Sequence, residues 1–211
     1  MPHGQYYTIN SSNPQVRLIK QAAQMVRDGK VIVYPTDSCY AMGCQLGDKN
    51  AVARIRQIRG VSDHHHMTLV CRDLSELSHY ALVNDMQFRL LKHNTPGSYT
   101  FILKATKEVP KRLQHPNRST IGVRIPDHNI ALALLEELGE PLLSSTMILP
   151  NEESPLNDAP QIRILLEQRV DLVIDGGAVA AKPTSVIDLT GDMPMLVRAG
   201  RGDTAHFLFR N

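Results

Sequence analysis

Residues 31–44 have the sequence Val-Ile-Val-Tyr-Pro-Thr-Asp-Ser-Cys-Tyr-Ala-Met-Gly-Cys, and this stretch is the starting point for assigning the fold. Its apolar run ends at Pro35, which cannot donate a hydrogen bond to a strand ladder. Thr36, Asp37 and Ser38 follow at the point where the predicted strand stops. Hydroxyl and carboxylate groups at the end of a buried strand are suited to a small-molecule site on a rigid support. An ordinary turn has the same composition, so these residues alone leave both interpretations open.

The composition indicates one soluble globular domain. The chain has 211 residues, of which 42% are apolar and 21% charged, and we expect a single domain over residues 1–211. No apolar run approaches about 18 residues, so we expect no membrane span. The three cysteines lack a disulfide-framework spacing, and the first residues lack the pattern of a secretory signal. Both features predict a reducing, cytoplasmic location.

Strand and helix patterns alternate along the whole chain. Apolar periodicity predicts helices near residues 13–28, 48–59, 129–138 and 159–168, with a further short helix that begins at residue 73 or 75. Apolar and β-rich runs predict strands near residues 31–34, 68–71, 99–103, 120–126, 142–148, 170–174, 185–189 and 195–198. This alternation predicts an α/β fold on a mixed sheet.

The net charge of +2 does not by itself indicate a nucleic-acid partner, but the basic residues are clustered. One cluster lies in residues 54–59, and six basic residues accompany a single acid, Glu108, in residues 104–124. Such clusters attract nucleotide phosphates or RNA, whereas a solvated surface is the alternative. The candidate RNA or phosphate patch consists of Arg54, Arg56, Lys104, Lys111 and Arg112.

Five motifs, in this order along the chain, resemble the YrdC-like family of threonylcarbamoyl-AMP synthases, and the resemblance covers nearly the whole chain. The motifs are residues 34–44, 96–103, 120–128, 175–177 and 183–188, the last with the sequence Pro-Thr-Ser-Val-Ile-Asp. Residues 68–77, Thr-Leu-Val-Cys-Arg-Asp-Leu-Ser-Glu-Leu, are typical of the YciO-like branch of that family.

The resemblance implies a fold and a chemistry. The implied fold is a twisted mixed sheet with helices on its convex side and a large basic concave cavity. The implied reaction makes threonylcarbamoyl-AMP from L-threonine, bicarbonate and ATP for the modification of tRNA. ATP would enter with Mg²⁺ as a substrate, and no bound metal or organic cofactor is implied. The implied partners are a nucleotide or another small molecule, and tRNA or double-stranded RNA.

The resemblance also assigns residue roles. Four positions correspond to contacts with threonine in the family: Ser38, Arg124, Ser144 and Thr184. Four others correspond to nucleotide contacts: Arg59, Thr120, Thr146 and Arg198. A guanidinium such as that of Arg124 is well suited to pair with a carboxylate.

Two polar positions of the family pattern are replaced in this chain. The synthases carry a Lys-x-Arg pair that aligns with residues 59–61, where the arginine position is Val61. They also carry a Ser-x-Asn pair that aligns with residues 146–148, where the asparagine position is Ile148. Loss of a cation from a triphosphate site is expected to cost several kcal/mol, or roughly a thousandfold in rate. Synthase activity therefore remains an open question at this point.

Three functions are consistent with the sequence. The first is a synthase, or a relative that uses the same cavity for altered chemistry. The second is a protein that binds tRNA or double-stranded RNA without catalysis, and the third is a scaffold whose site has decayed. The run His64-His65-His66 resembles a metal tract, but consecutive residues cannot all face one ion in regular structure. We therefore expect a solvated loop there and no metal site.

Overall fold

A computed structural model describes residues 4–62 and 65–207. Its strands are β1 (Gln5–Thr8), β2 (Ile32–Tyr34), β3 (Ala41–Gln45), β4 (Thr68–Val70), β5 (Tyr99–Lys104), β6 (Thr120–Arg124), β7 (Leu142–Thr146), β8 (Leu172–Asp175), β9 (Ser185–Asp188) and β10 (Met195–Arg198). Its helices are α1 (Val16–Arg27), α2 (Lys49–Arg59), α3 (Leu74–Tyr80), α4 (Asp85–Asn94), α5 (Asn129–Leu138) and α6 (Ala159–Leu166). Within the described ranges, every helix is too short or too polar to cross a membrane.

The strands form one mixed sheet in the order β1-β8-β2-β3-β7-β4-β6-β5-β9-β10. The pairs β1–β8, β2–β8, β4–β6 and β5–β9 are parallel, and the other five pairs are antiparallel. This arrangement confirms the predicted α/β fold. It also brings together strands that lie far apart in sequence, such as β3 and β7.

The two faces of the sheet are covered differently. Alternation along each strand sends Val33 of β2 to one face and Tyr34 to the other. The buried side chains of α2, α3, α4 and α6 belong to the apolar cluster on the Val33 face. Those of α1 and α5 belong to the cluster on the Tyr34 face. Four helices thus back the sheet, as the resemblance implies, and two cover part of its other face. The uncovered part of that second face holds the cavity described below.

Helix α2 begins and ends where the sequence predicts. The Asp48 side chain accepts hydrogen bonds from the backbone N–H groups of Asn50 and Ala51, both at 2.9 Å, which satisfies two of the free donors at the helix start. Gly60 ends the helix with φ of 64°, a left-handed conformation that glycine adopts without strain. These two ends place Arg59 in the last turn, beside the cavity.

The β9–β10 hairpin offers a matched pair of glycines for a stability test. A Cβ at Gly200 would lie 2.4 Å from the backbone carbonyl of Thr184, whereas a Cβ at Gly191 would lie 3.8 Å from its nearest neighbour. We expect Gly200→Ala to lower the free energy of unfolding by about 1–3 kcal/mol through overpacking. Gly191→Ala is expected to be neutral or to stabilise by about 0.4–1 kcal/mol. Urea denaturation of both variants checks this, and equal effects would contradict the close approach at Gly200.

Candidate ligand-binding site

A cavity of about 560 Å³ opens on the sheet face that α1 and α5 leave uncovered. Its size lies within the range of about 300–1,000 Å³ that is typical of small-molecule sites. Most of the strands from β2 to β10 contribute to its wall, together with residues around positions 65 and 115. The charged or titratable side chains that line it are Arg59, Arg118, Arg124, Arg198, Asp188, His65, His66 and His115, with Tyr34 and Cys39. The excess of arginine over carboxylate makes the cavity basic, in agreement with the fold that the resemblance implies.

The residues after β2 form a turn that is also part of the cavity wall. The Thr36 hydroxyl donates to the Cys39 carbonyl at 2.6 Å and accepts from the Ser38 backbone N–H at 3.2 Å. All three residues are buried. Thr36 and Cys39 line the cavity, whereas Ser38 is not among its lining residues. The two interpretations of the opening motif are therefore compatible, because the turn itself forms part of the wall.

Arg124, at the end of β6, lies at the floor of the cavity, which is formed by the sheet face, and is only 7% exposed. Its Nη1 donates to the Ser38 hydroxyl at 3.1 Å, and its Nη2 pairs with Asp37. Asp37 in turn accepts from the Ser98 hydroxyl at 2.6 Å. The Nε of Arg124 is buried without a hydrogen-bond partner among the described residues. A buried donor in this state costs free energy.

The hydroxyl groups around Arg124 are held by protein contacts. Ser144 donates to the Met42 carbonyl at 2.8 Å, so the Tyr34 hydroxyl, 2.8 Å away, acts as the donor to Ser144. Burial raises the pKa of Tyr34 to about 12, which keeps this phenol protonated. The hydroxyls of Thr184 and Thr100 form a hydrogen bond of 2.8 Å. These bonds fix the orientation of polar groups that face the cavity.

The four positions assigned to a nucleotide also meet at the cavity. Arg59, Thr120, Thr146 and Arg198 all line it, although they come from α2, β6, β7 and β10. Arg198 donates to the Thr184 carbonyl at 2.9 Å. Arg118, His65, His66 and His115 also line the cavity, and the sequence motifs do not predict this. Arg118 lies in the basic segment, but no sequence signal links residues 65–66 to residue 115, whose imidazole stacks on that of His66 at a centroid distance of 4.8 Å.

The two replaced family positions differ in their relation to the cavity, and Arg59 contacts one of them. Arg59 donates from Nη1 to the Ile148 carbonyl at 2.6 Å. Ile148 lines the cavity, whereas Val61 is half-buried and is not a lining residue. The Val61 backbone N–H bonds to the Arg56 carbonyl at 3.1 Å and closes the end of α2. Of the two replaced positions, only Ile148 therefore forms part of the cavity wall.

The structure brings together three of the five residues in the candidate RNA or phosphate patch. Arg56, Lys111 and Arg112 line a smaller recess beside the cavity. Arg54 instead pairs with Asp171 at 2.8 Å, away from this recess. Lys104 is exposed at the end of β5 and lines neither opening. Two of the five predicted patch residues therefore lie outside the recess.

The histidine run is only partly described. His65 and His66 line the cavity, and His64 lies outside the described residues. Across residues 4–62 and 65–207, no three histidine, cysteine or acidic side chains come together in a way that could hold a metal ion.

The structure predicts that stability falls at mildly acidic pH. Burial lowers the pKa of His128 and of His65 below the ordinary value of 6.5, and for His65 the charges of Arg59, His66 and Arg56 add to the effect. The unfolded chain therefore binds protons that the folded chain does not, so stability is full above about pH 6.5 and decreases as the pH falls below it. Chemical denaturation between about pH 7 and pH 5 measures this slope. His128→Gln is expected to reduce the slope, and an unchanged slope would contradict the burial of a neutral imidazole there.

Comparison with known proteins identifies relatives of this fold and site. Residues 24–200 match the model of the Sua5/YciO/YrdC family, which is described as "Telomere recombination". The uncharacterized protein YciO of Escherichia coli (strain K12) is 57% identical over 97% of this chain and 99% of its own length. A threonylcarbamoyl-AMP synthase of Chromobacterium violaceum is 32% identical over 83% of this chain and 91% of its own length.

Solved structures agree with these relationships. The crystal structure of E. coli YciO superimposes with a TM-score of 0.94 at 56% identity and covers 97% of this chain and 100% of that one. Pyrococcus abyssi Sua5 complexed with L-threonine superimposes with a TM-score of 0.85 at 26% identity, over 92% of this chain and 57% of that one. The chain thus belongs to the Sua5/YciO/YrdC family.

Proposed function

We propose that the cavity binds a small amino acid together with an adenine nucleotide, as a relative of the threonylcarbamoyl-AMP synthases, in the cytoplasm. One observation carries this proposal: seven of the eight positions assigned to threonine or nucleotide line the same cavity. The eighth, Ser38, lies behind that wall and accepts a hydrogen bond from Arg124. These residues come from elements spread over most of the chain, so sequence proximity does not account for their meeting.

The amino acid occupies the floor in this proposal. Its carboxylate meets the Arg124 guanidinium, whose Nη1 and Nη2 each carry a second N–H besides those that bond to Ser38 and Asp37. The hydroxyls of Ser144 and Thr184 lie on the same sheet face and offer polar contacts to a ligand hydroxyl. Because Asp37 already balances part of the guanidinium charge, geometry contributes more than net charge to carboxylate recognition here.

The nucleotide takes its phosphate contacts from the other arginines of the cavity, with ATP entering together with Mg²⁺ as substrate. Arg59, Arg118 and Arg198 line the cavity, and Asp188, 3.7 Å from Arg118, is the only carboxylate among the described lining residues. Fixed cations in a sheltered cavity stabilise charge that develops on transferring phosphates. The cavity also shelters a carbamate, which is unstable in water, from the solvent. With Val61 and Ile148 in place of polar groups, we propose that ligand binding is retained and that adenylate transfer is slow.

Thermal unfolding with added ligands tests this function. ATP and L-threonine, each at millimolar concentration, are expected to raise the melting temperature, and together they are expected to raise it most. A ligand at about 100 times its Kd stabilises by about 2.7 kcal/mol. D-Threonine serves as the control that preserves charge and composition, and the variant Arg198→Ala should reduce the ATP shift alone. The absence of any shift with either ligand would overturn the proposal.

A second candidate function is binding of tRNA or double-stranded RNA. The observation that favours it is the group formed by Arg56, Lys111 and Arg112 beside the cavity that holds Arg118. Recognition would be electrostatic and based on shape, because only 5% of residues are aromatic. Filter binding of tRNA over a salt series is expected to show a steep loss of affinity. A flat salt response would contradict RNA binding, and a response to neither RNA nor small ligands would favour the scaffold interpretation.

A further inference from the structure

A second recess, with a volume of about 110 Å³, lies directly beside the large cavity. The two share His65, His66 and Leu113 in their walls. The outer wall of the recess contains Arg56, Lys111 and Arg112. None of the eight positions assigned to threonine or nucleotide lines this recess, so it is a separate feature of the surface.

Two cations of the recess, Lys111 and Arg112, are not neutralised by any carboxylate of the described residues. No acidic side chain is among the described residues that line it. Lys111 and Arg112 form no ion pair with any described residue. Arg112 donates from Nη2 to the Gly47 carbonyl at 2.6 Å, which holds the guanidinium in place without neutralising it. The pKa of His65 is lowered by burial and then by Arg59, His66 and Arg56, as expected beside several fixed cations.

The recess is small, with about 110 Å³ against about 560 Å³ for the cavity, and it suits a compact anion. Arginine and lysine are the side chains that bind phosphate oxygens most strongly, through charge-assisted hydrogen bonds. We propose that this recess is a phosphate subsite, in which Lys111 and Arg112 bind the oxygens of a compact phosphate anion.

Two kinds of molecule supply a phosphate anion of this size. The anion is either free inorganic diphosphate or the terminal phosphates of a nucleotide that lies in the adjoining cavity. The second source rests on the proposed function, whereas the first does not. The experiment therefore includes an arm without nucleotide.

Isothermal titration of the full chain with inorganic diphosphate, at constant ionic strength, tests the subsite. The variant Lys111→Glu/Arg112→Glu is expected to bind diphosphate at least tenfold more weakly than the wild type. The matched control Lys104→Glu/Lys107→Glu changes the net charge by the same amount at exposed positions outside the recess, and its affinity is expected to stay within twofold of the wild type. Circular dichroism establishes that both variants fold.

Titration with ATP and AMP distinguishes the two sources. If the recess holds the terminal phosphates of the nucleotide, Lys111→Glu/Arg112→Glu weakens binding of ATP and leaves AMP unchanged. If it holds free diphosphate, only the diphosphate affinity falls. Equal weakening in the recess variant and the control, for both diphosphate and ATP, would overturn the subsite. A wild type that binds neither diphosphate nor ATP would overturn it too, whereas binding of diphosphate without ATP contradicts only the proposed function.

Discussion

Replacing Arg124 with methionine is expected to lower the free energy of unfolding by about 3–5 kcal/mol and to abolish stabilisation by L-threonine. The change removes the positive partner of Asp37 at a position where both side chains are nearly buried. A buried carboxylate left without its partner carries a desolvation cost that the ion pair had offset. The same change removes the donor that we assign to the ligand carboxylate. Urea denaturation with and without L-threonine measures both effects.

The matched double variant Asp37→Asn/Arg124→Met separates the two effects. Because neither charge is then left buried alone, stability is expected to recover most of the loss, whereas the response to threonine stays absent. Arg124→Lys is expected to keep part of the stability and little of the ligand response, since lysine lacks the planar fork. Stability effects that simply add in the double variant would contradict the Asp37–Arg124 pair as the cause.

Restoring the family's polar residues with Val61→Arg/Ile148→Asn is expected to raise the rate of threonylcarbamoyl-AMP formation by up to about a thousandfold. Arg59 already contacts the Ile148 carbonyl, so an amide at position 148 would extend a polar corner that faces the cavity. An arginine at position 61 would add a longer cationic side chain at the end of α2. Mass spectrometry of the adenylate product and of released diphosphate measures the rate.

The control for this gain keeps both positions apolar. Val61→Leu/Ile148→Val alters volume without adding a donor or a charge, and its rate should equal that of the wild type. Each single polar replacement is expected to give a smaller gain than the pair, because each restores only one of the two polar groups. A double variant that folds, binds ATP and L-threonine, and still shows the wild-type rate would show that these two losses do not limit the reaction.

Local patterns located most elements but missed some. Helix α2 was predicted from residue 48 to residue 59 and runs over Lys49–Arg59, because its cap and its left-handed glycine are local signals. Strand β3 was not predicted, since its sequence Ala-Met-Gly-Cys-Gln lacks β-branched residues. It forms because β2 and β7 pair with it on both sides. Strand β1 and helix α4 were also missed.

The family pattern identified the cavity residues more completely than their contacts. All four nucleotide positions and three of the four threonine positions line the cavity. The motifs did not reveal that Asp37 and Ser38 bind the two Nη groups of Arg124. They also did not indicate which basic residues share a recess. Arg54 and Arg56 are two residues apart in α2 and therefore do not share a helix face, and only Arg56 lines that recess.

The sequence by itself determined the alternation of strands and helices, the limits of α2 and the polar groups at the strand ends. Those features depend on neighbours within a few residues. The tertiary structure alone decided that Asp37 neutralises Arg124, that Arg59 links to Ile148, and that Lys111 and Arg112 lie beside Arg56. Each of these contacts joins residues at least 50 positions apart, so it depends on the order and register of strands in the sheet rather than on local sequence.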